Sequence, residues 1–300
     1  MTTYNVTIFG INIKINPVAF TLPIGKNGWN IYWYGIIIAT GFLLAVIYGA
    51  RYAKRYNINF DKLLDVVLVT APVSILCARA YYVLFDGQKV GSISDFFGFG
   101  SNSGFSGLAI YGGVIGAAVC GTLMCKLKKI NVFDALDLAS VGFLIGQGIG
   151  RWGNFTNQEA YGALTGSTFW GMKSERTVLE MGDGLVHPCF LYESVWCIAG
   201  FFLLNHLSKK RKFSGQIALC YCIWYGFGRA IIEVLRTDSL MIGSIKVSCL
   251  LSLLICVTSA VLLSFILHRQ KNEIAENEYA EVFTDNDVEF TESVEGDNDE

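Results

Sequence analysis

Arg229, Glu233 and Arg236 are spaced i, i+4 and i+7, which puts all three on one face of a helix. The run around them is largely apolar. Arg79, Arg151, Asn154 and Glu193 also fall at or just past the ends of apolar runs. An ionised group in hydrocarbon is costly unless it is paired or faces water. Arg79, Arg229 and Glu233 must therefore face the inside of a helix bundle. Two arrangements meet that condition. One is a set of buried ion pairs that lock helices together. The other, which we favour, is a cationic cavity open to one leaflet. Arginine suits a cavity of this kind because its guanidinium stays charged and grips phosphate through two parallel hydrogen bonds. At that depth the available anions are lipid headgroup phosphates.

The elements that must position these residues follow from composition and hydropathy. The chain has 300 residues, 53% of them apolar and only 16% charged, with a mean hydropathy of +0.45. Soluble domains carry about 25% charged residues, so lipid is the main solvent of this fold. Seven apolar segments are long enough to cross roughly 30 Å of hydrocarbon as helices: Ile31–Ala50, Leu63–Phe85, Leu108–Cys125, Val132–Gly150, Phe190–Leu207, Gln216–Leu235 and Ile245–Leu267. The expected fold is an all-α membrane protein with seven transmembrane helices. Basic residues orient it. Thirteen Lys and Arg crowd the short connections on one side, among them Lys126, Lys128, Lys129 and Lys209–Lys212, against eight scattered on the other. The positive-inside rule puts the N-terminus outside and the C-terminus in the cytoplasm.

Three pieces lie outside the spans. Residues 1–30 read as an extended or interfacial arm on the outer side. Arg151–His187 is a small extracytoplasmic insertion. From Asn272 to Glu300 there are twelve Asp and Glu and no Lys or Arg, which reads as a disordered, solvated cytoplasmic tail beyond a catalytic domain at 31–268. With this orientation Arg79, Arg151, Asn154, Glu193, Arg229, Glu233 and Arg236 all gather toward the outer leaflet. Asp134 and Asp137 are the exceptions. They open the fourth helix at its cytoplasmic end, where a carboxylate suits the helix N-terminus. The glycines of 107–116 and 142–150 read as helix-packing positions. Tyr34 and Tyr111 stand beside glycines in apolar runs, and an intramembrane hydroxyl needs a partner. The nine cysteines lack metal-ligand spacing and read as small buried hydrophobes.

The stretch Gly150-Arg151-Trp152-Gly153-Asn154-Phe155-Thr156-Asn157-Gln158-Glu159-Ala160-Tyr161-Gly162 resembles the signature G-R-x-G-N-F-x-N-x-E-x-x-G of the prolipoprotein diacylglyceryl transferases, with every fixed position matched. Further stretches are similar to other motifs of that family. They are Trp33-Tyr34-Gly35, Ala78-Arg79 with Tyr81-Tyr82-Val83, and His187-Pro188 followed by Leu191-Tyr192-Glu193-Ser194. Arg229, Glu233, Arg236 and Asp238 fit its G-x-x-R-x-x-x-E-x-x-R-x-D pattern. The resemblance runs from about Asn16 to Leu254. It implies a seven-helix enzyme that moves the diacylglyceryl group of phosphatidylglycerol onto the lipobox cysteine thiol of a preprolipoprotein, as the first step of bacterial lipoprotein maturation in the cytoplasmic membrane. The products are a thioether and glycerol phosphate. No metal or organic cofactor is implied, and no nucleic acid partner.

The resemblance implies roles as well. Arg151 and Arg229 are expected to stabilise charge growing on the phosphate, with Glu233 either holding Arg229 or accepting a proton. Asn154, Glu159, Gly162, Tyr34, Arg79 and Arg236 are expected around the lipid headgroup. One position departs from the family pattern. Tyr111, in Tyr111-Gly112-Gly113, stands where many members have a histidine. A tyrosine with a pKa of about 10 is a poor base at neutral pH. Tyr111 is expected at the catalytic centre, where either the base lies elsewhere or this position mainly hydrogen-bonds the lipid. Charge depth alone also permits an anion transporter or a lipid-binding scaffold, but no inverted repeat supports the transporter.

Overall fold

The structure, a computed structural model, describes residues 3–23, 28–85, 96, 109–237, 241–242 and 245–295. Lys26, Lys89, Gly107 and Asp238 fall outside the described residues. The chain opens with the antiparallel hairpin β1 (Tyr4–Ile8) and β2 (Ile11–Ile15), followed by the pair β3 (Val18–Leu22) and β4 (Trp29–Tyr32). Helices α1 (Trp33–Tyr52), α2 (Phe60–Phe85), α3 (Ile110–Leu127) and α4 (Val132–Thr156) come next. The insertion carries strand β5 (Met172–Ser174) and the short helix α5 (Glu175–Met181). Then come α6 (Cys189–Leu207), α7 (Gln216–Leu235), the two-residue strands β6 (Met241–Ile242) and β7 (Ile245–Lys246), and α8 (Val247–Glu295). Among the described residues, seven helices are long and apolar enough to cross a membrane, and they coincide with the seven expected segments.

Three boundaries differ from the sequence reading. Helix α4 does not stop at Gly150 but runs on to Thr156, so Arg151 and Asn154 sit on its last turns. Trp152 and Phe155 explain the extension, because both rings pack against Phe190 of α6. The N-terminal arm is a sheet rather than a loose extended segment. β1 also pairs with β5 of the insertion, matching Val6 to Ser174, and Val6 is buried with Met172, Val186 and Phe190. The last helix continues to Glu295 through the acidic stretch expected to be disordered. No Gly or Pro interrupts Val247–Glu295, and the alanines and glutamates after Asn272 favour helix.

Small residues set the helix pairing, as expected. A Cβ on Gly41 of α1 would lie 3.3 Å from Gly146 of α4. One on Gly116 of α3 would meet Cys77 of α2 at 2.7 Å. So α1 lies on α4, and α2 on α3; α4 also packs against α6 and α7, and α8 against α7. The α2–α3 pair leans only lightly on the other helices, which leaves a groove between α1, α2 and α4.

The end of the bundle rich in Lys and Arg is closed by ion pairs. Arg211 Nη1 donates to Asp134 Oδ1 at 2.7 Å and to Asp137 Oδ2 at 2.9 Å. Asp137 is fully buried and also accepts the backbone N–H groups of Gly215 and Ala218, both at 2.8 Å. The two aspartates thus fasten the start of α4 to the start of α7, beyond their favourable place at a helix N-terminus.

Candidate active site

At the opposite end of the bundle the expected charged residues meet around Glu193. It lies in the second turn of α6, and its carboxylate points between α4 and α7. Oε1 accepts a hydrogen bond from Arg151 Nη2 of α4 and another, at 3.0 Å, from the Tyr225 hydroxyl of α7. Oε2 accepts from Arg229 Nη1 at 3.1 Å. Arg229 turns its other nitrogen, Nη2, to Glu233 Oε2 at 2.8 Å, one helical turn on. That ion pair lies off the hydrogen-bonding line, so Glu233 Oε2 accepts no aligned hydrogen bond among the described residues.

Exposure divides the cluster into two layers. The Glu193 and Glu233 side chains are 3% and 2% exposed, while those of Arg151 and Arg229 are 21% and 18% exposed. The carboxylates are sealed off, while the guanidinia keep some exposed surface. Arg151 and Arg229 are ion-paired, with two positive charges against two negative. Buried pairs of this kind need further hydrogen bonds to offset desolvation, which Tyr225 and Asn154 supply. Asn154 Oδ1 accepts from Arg151 at 3.5 Å, and Asn154 Nδ2 donates to Glu159 at 3.5 Å.

The turn after α4 carries the rest of the signature. Gln158 and Ala160 both adopt φ of +56°, an unfavourable conformation for residues with a side chain. It is held by buried contacts. Gln158 Oε1 accepts the backbone N–H of Arg176 at 3.1 Å, and the Ala160 carbonyl accepts that of Phe190 at 2.9 Å. Arg176, outside the membrane-spanning helices, pairs with Glu159 at 3.7 Å and Glu180 at 2.9 Å. The hydrogen bond to Glu180 is the main influence raising its pKa. Gly162 has a packing role. A Cβ there would lie 2.6 Å from the Leu235 carbonyl and 2.8 Å from Cys189 sulfur. Its bridge to Arg236 joins the insertion to the end of α7. Arg236 lies close enough to Arg151 for their charges to repel.

Below the guanidinia the groove opens into a cavity of about 450 Å³. Tyr34, Arg151 and Asn154 line its head, with the Tyr34 ring held under Gly153. Its walls then run down α4 to Ala135, about 24 Å along the helix at its 1.5 Å rise per residue. The walls are apolar except for Gln147.

Two expected site residues are not brought to the cluster. Tyr111 lies in the first turn of α3, 54% exposed, and has no hydrogen bond among the described residues. Helix α3 packs on α2 and barely meets α4, which keeps Tyr111 away from Glu193. Arg79 is buried on α2, donating to the Phe96 carbonyl at 2.9 Å and lying over the Tyr82 ring. No described contact joins it to Arg151 or Arg229. Conversely, the sequence marks Glu193 only as a charge and a motif position, and Tyr225 enters only with the structure. Glu193 carried the same signal as Arg229, an ionisable group in an apolar run. Tyr225 is four residues before Arg229, on the same face.

Fold and site define a seven-helix membrane protein with a buried arginine–glutamate cluster at the head of an apolar groove. The family model described as prolipoprotein diacylglyceryl transferase matches residues 17–265. The chain belongs to that family. It is similar to proteins named phosphatidylglycerol–prolipoprotein diacylglyceryl transferase from several bacteria. The one from Clostridium novyi (strain NT) is 41% identical over 253 residues, covering 83% of this chain and 95% of the relative. Those from Streptococcus sanguinis (strain SK36) and Clostridioides difficile (strain 630) are 42% and 38% identical, over 86% of this chain and 97% and 98% of the relatives.

Proposed function

We propose that this protein transfers the diacylglyceryl group of phosphatidylglycerol to the lipobox cysteine of a preprolipoprotein, in the outer leaflet of the bacterial cytoplasmic membrane. The observation that carries this reading is the cluster at the groove's head, where Arg151 lines the cavity and is joined through the buried Glu193 to Arg229. Arg151 and Arg229 bind the phosphodiester, Arg236 guards the rim, and the groove takes acyl chain. Tyr34, Asn154 and Glu159 frame the head, and Gly162 keeps the rim closed against α7.

The lipobox thiolate attacks the glyceryl carbon next to the phosphate oxygen. A carbon–sulfur bond forms, the carbon–oxygen bond breaks, and its electron pair leaves on the phosphate of glycerol phosphate. The thiol is a far weaker nucleophile than the thiolate, so its proton must be accepted within the site. Glu233 is the acceptor, since its carboxylate is paired with Arg229 at 2.8 Å and its Oε2 accepts no aligned hydrogen bond among the described residues. Taking the thiol proton moves one negative charge from Glu233 to the sulfur, with no change in net charge, and releases Arg229 to the phosphate. The proton then passes to the leaving phosphate, so every atom and charge is accounted for. Glu193 keeps both arginines in place throughout.

The test is reconstitution with phosphatidylglycerol and a lipobox peptide. The expected product is peptide heavier by one diacylglyceryl group, and Arg229→Ala should abolish it in folded protein. Unmodified peptide with wild-type protein, or full activity in Arg229→Ala, would overturn the reading. Uptake of an anion without lipid consumption would point to a transporter instead.

A further inference from the structure

Resting on the transferase reading, we infer that Gln147 recognises an acyl ester of the lipid donor and so selects ester-linked over ether-linked phosphatidylglycerol. Gln147 lies on α4 four residues before Arg151, one turn deeper in the groove, or roughly 6 Å at 1.5 Å per residue. Among the described residues lining the cavity below the head, it alone has a hydrogen-bonding side chain. Its Nε2 donates to the Tyr221 hydroxyl at 2.9 Å, while Oε1 is buried and has no hydrogen-bond partner among the described residues.

An amide has two polar ends, and Tyr221 satisfies one. With Nε2 on Tyr221, the carbonyl is left over. With the amide turned, the Tyr221 hydroxyl donates to Oε1 and the NH2 group is left over. A buried polar group without a partner is costly, so in either orientation the side chain calls for a ligand. What passes that depth in a bound phospholipid is set by the lipid's own structure. If the phosphate sits on Arg151 and Arg229, the glycerol backbone follows, and then the acyl esters. Ester carbonyls accept hydrogen bonds and cannot donate them. The amide therefore turns its NH2 to the ester, and Tyr221 donates to Oε1. An ether oxygen is a weaker acceptor and lacks the projecting carbonyl, so it leaves the amide unpaired.

The experiment compares 1,2-diacyl and 1,2-dialkyl phosphatidylglycerol of equal chain length as donors to a lipobox peptide. The bond broken is the same in both. Wild-type protein should favour the diester in kcat/KM by about tenfold, the size of one hydrogen bond between neutral groups. Gln147→Leu should lose that preference by slowing the diester while leaving the diether unchanged. A merely structural role would lower both donors together. Tyr221→Phe, which leaves Gln147 in place and removes its orienting partner, should reduce the preference too, and it serves as the test if Gln147→Leu does not fold. Equal use of both donors by wild-type protein, or an unchanged preference in the folded variants, overturns the role of Gln147 while sparing the transferase reading. Transfer from neither donor removes both.

Discussion

Replacing Glu193 with Gln tests how the cluster is held together. The carboxylate has two oxygens, and both are used: one by Arg151 and Tyr225, the other by Arg229 at 3.1 Å. Glutamine offers one oxygen and one NH2 group. If its oxygen keeps Arg151 and Tyr225, the NH2 group faces the Arg229 guanidinium, donor against donor. Arg229 loses a charge-assisted hydrogen bond, a loss of about 1.5–3 kcal/mol, and swings toward Glu233. At 1.36 kcal/mol per factor of ten, transfer should fall by about 100-fold at the upper end. The substitution keeps the volume of the side chain, so the thermal midpoint in detergent should move much less than for Glu193→Ala. That variant leaves two part-buried guanidinia short of a partner, at a cost toward or below the lower end of the roughly 3–5 kcal/mol for breaking a fully buried pair. The assay is kcat/KM for peptide lipidation, read beside a thermal melt of the same preparation. Glu193→Gln within about threefold of wild type would refute the claim that Glu193 sets the positions of both arginines.

Other substitutions separate site from scaffold. Tyr111→Phe should keep transfer within about threefold of wild type, because the side chain is exposed and its hydroxyl makes no hydrogen bond among the described residues; a large loss in the same assay would put Tyr111 back at the centre. Gly162→Ala should lower the melting temperature, since its Cβ would press on the Leu235 carbonyl, with overpacking costing about 1–3 kcal/mol. Arg211→Ala strips the side-chain cation that pairs with the buried Asp137. It should destabilise the fold by about 3–5 kcal/mol, and an unchanged melt would mean that the two backbone N–H groups suffice.

The seven helices were legible because hydrocarbon tolerates few alternatives: an apolar run of this length must be helical to satisfy its backbone. The residues of the cluster were legible for the same reason. Arg229 and Glu233 have to pair or face water. Their arrangement was less so. Which glutamate serves which arginine depends on how α4, α6 and α7 are rotated, and no periodicity within one helix reports that. Glu193 was accordingly undervalued, although its burial makes it the centre. Arg79 and Tyr111 sit on the α2–α3 pair, whose looseness against the other helices is a tertiary property that no single segment reports. The pairing of β1 with β5 joins residues over 160 positions apart and leaves no local trace. Beyond residue 267 the sequence lost its apolar signal, and acidic composition hid a stretch with good helix formers.

The most direct measurement is the balance of products in proteoliposomes holding wild-type protein, phosphatidylglycerol and a lipobox peptide. Thioether-linked peptide and glycerol phosphate should accumulate in equal amounts, and neither should form when the peptide cysteine is replaced by serine. Phospholipid that stays intact, or that is cleaved to any other headgroup product, would contradict the transfer of the diacylglyceryl group at this cluster.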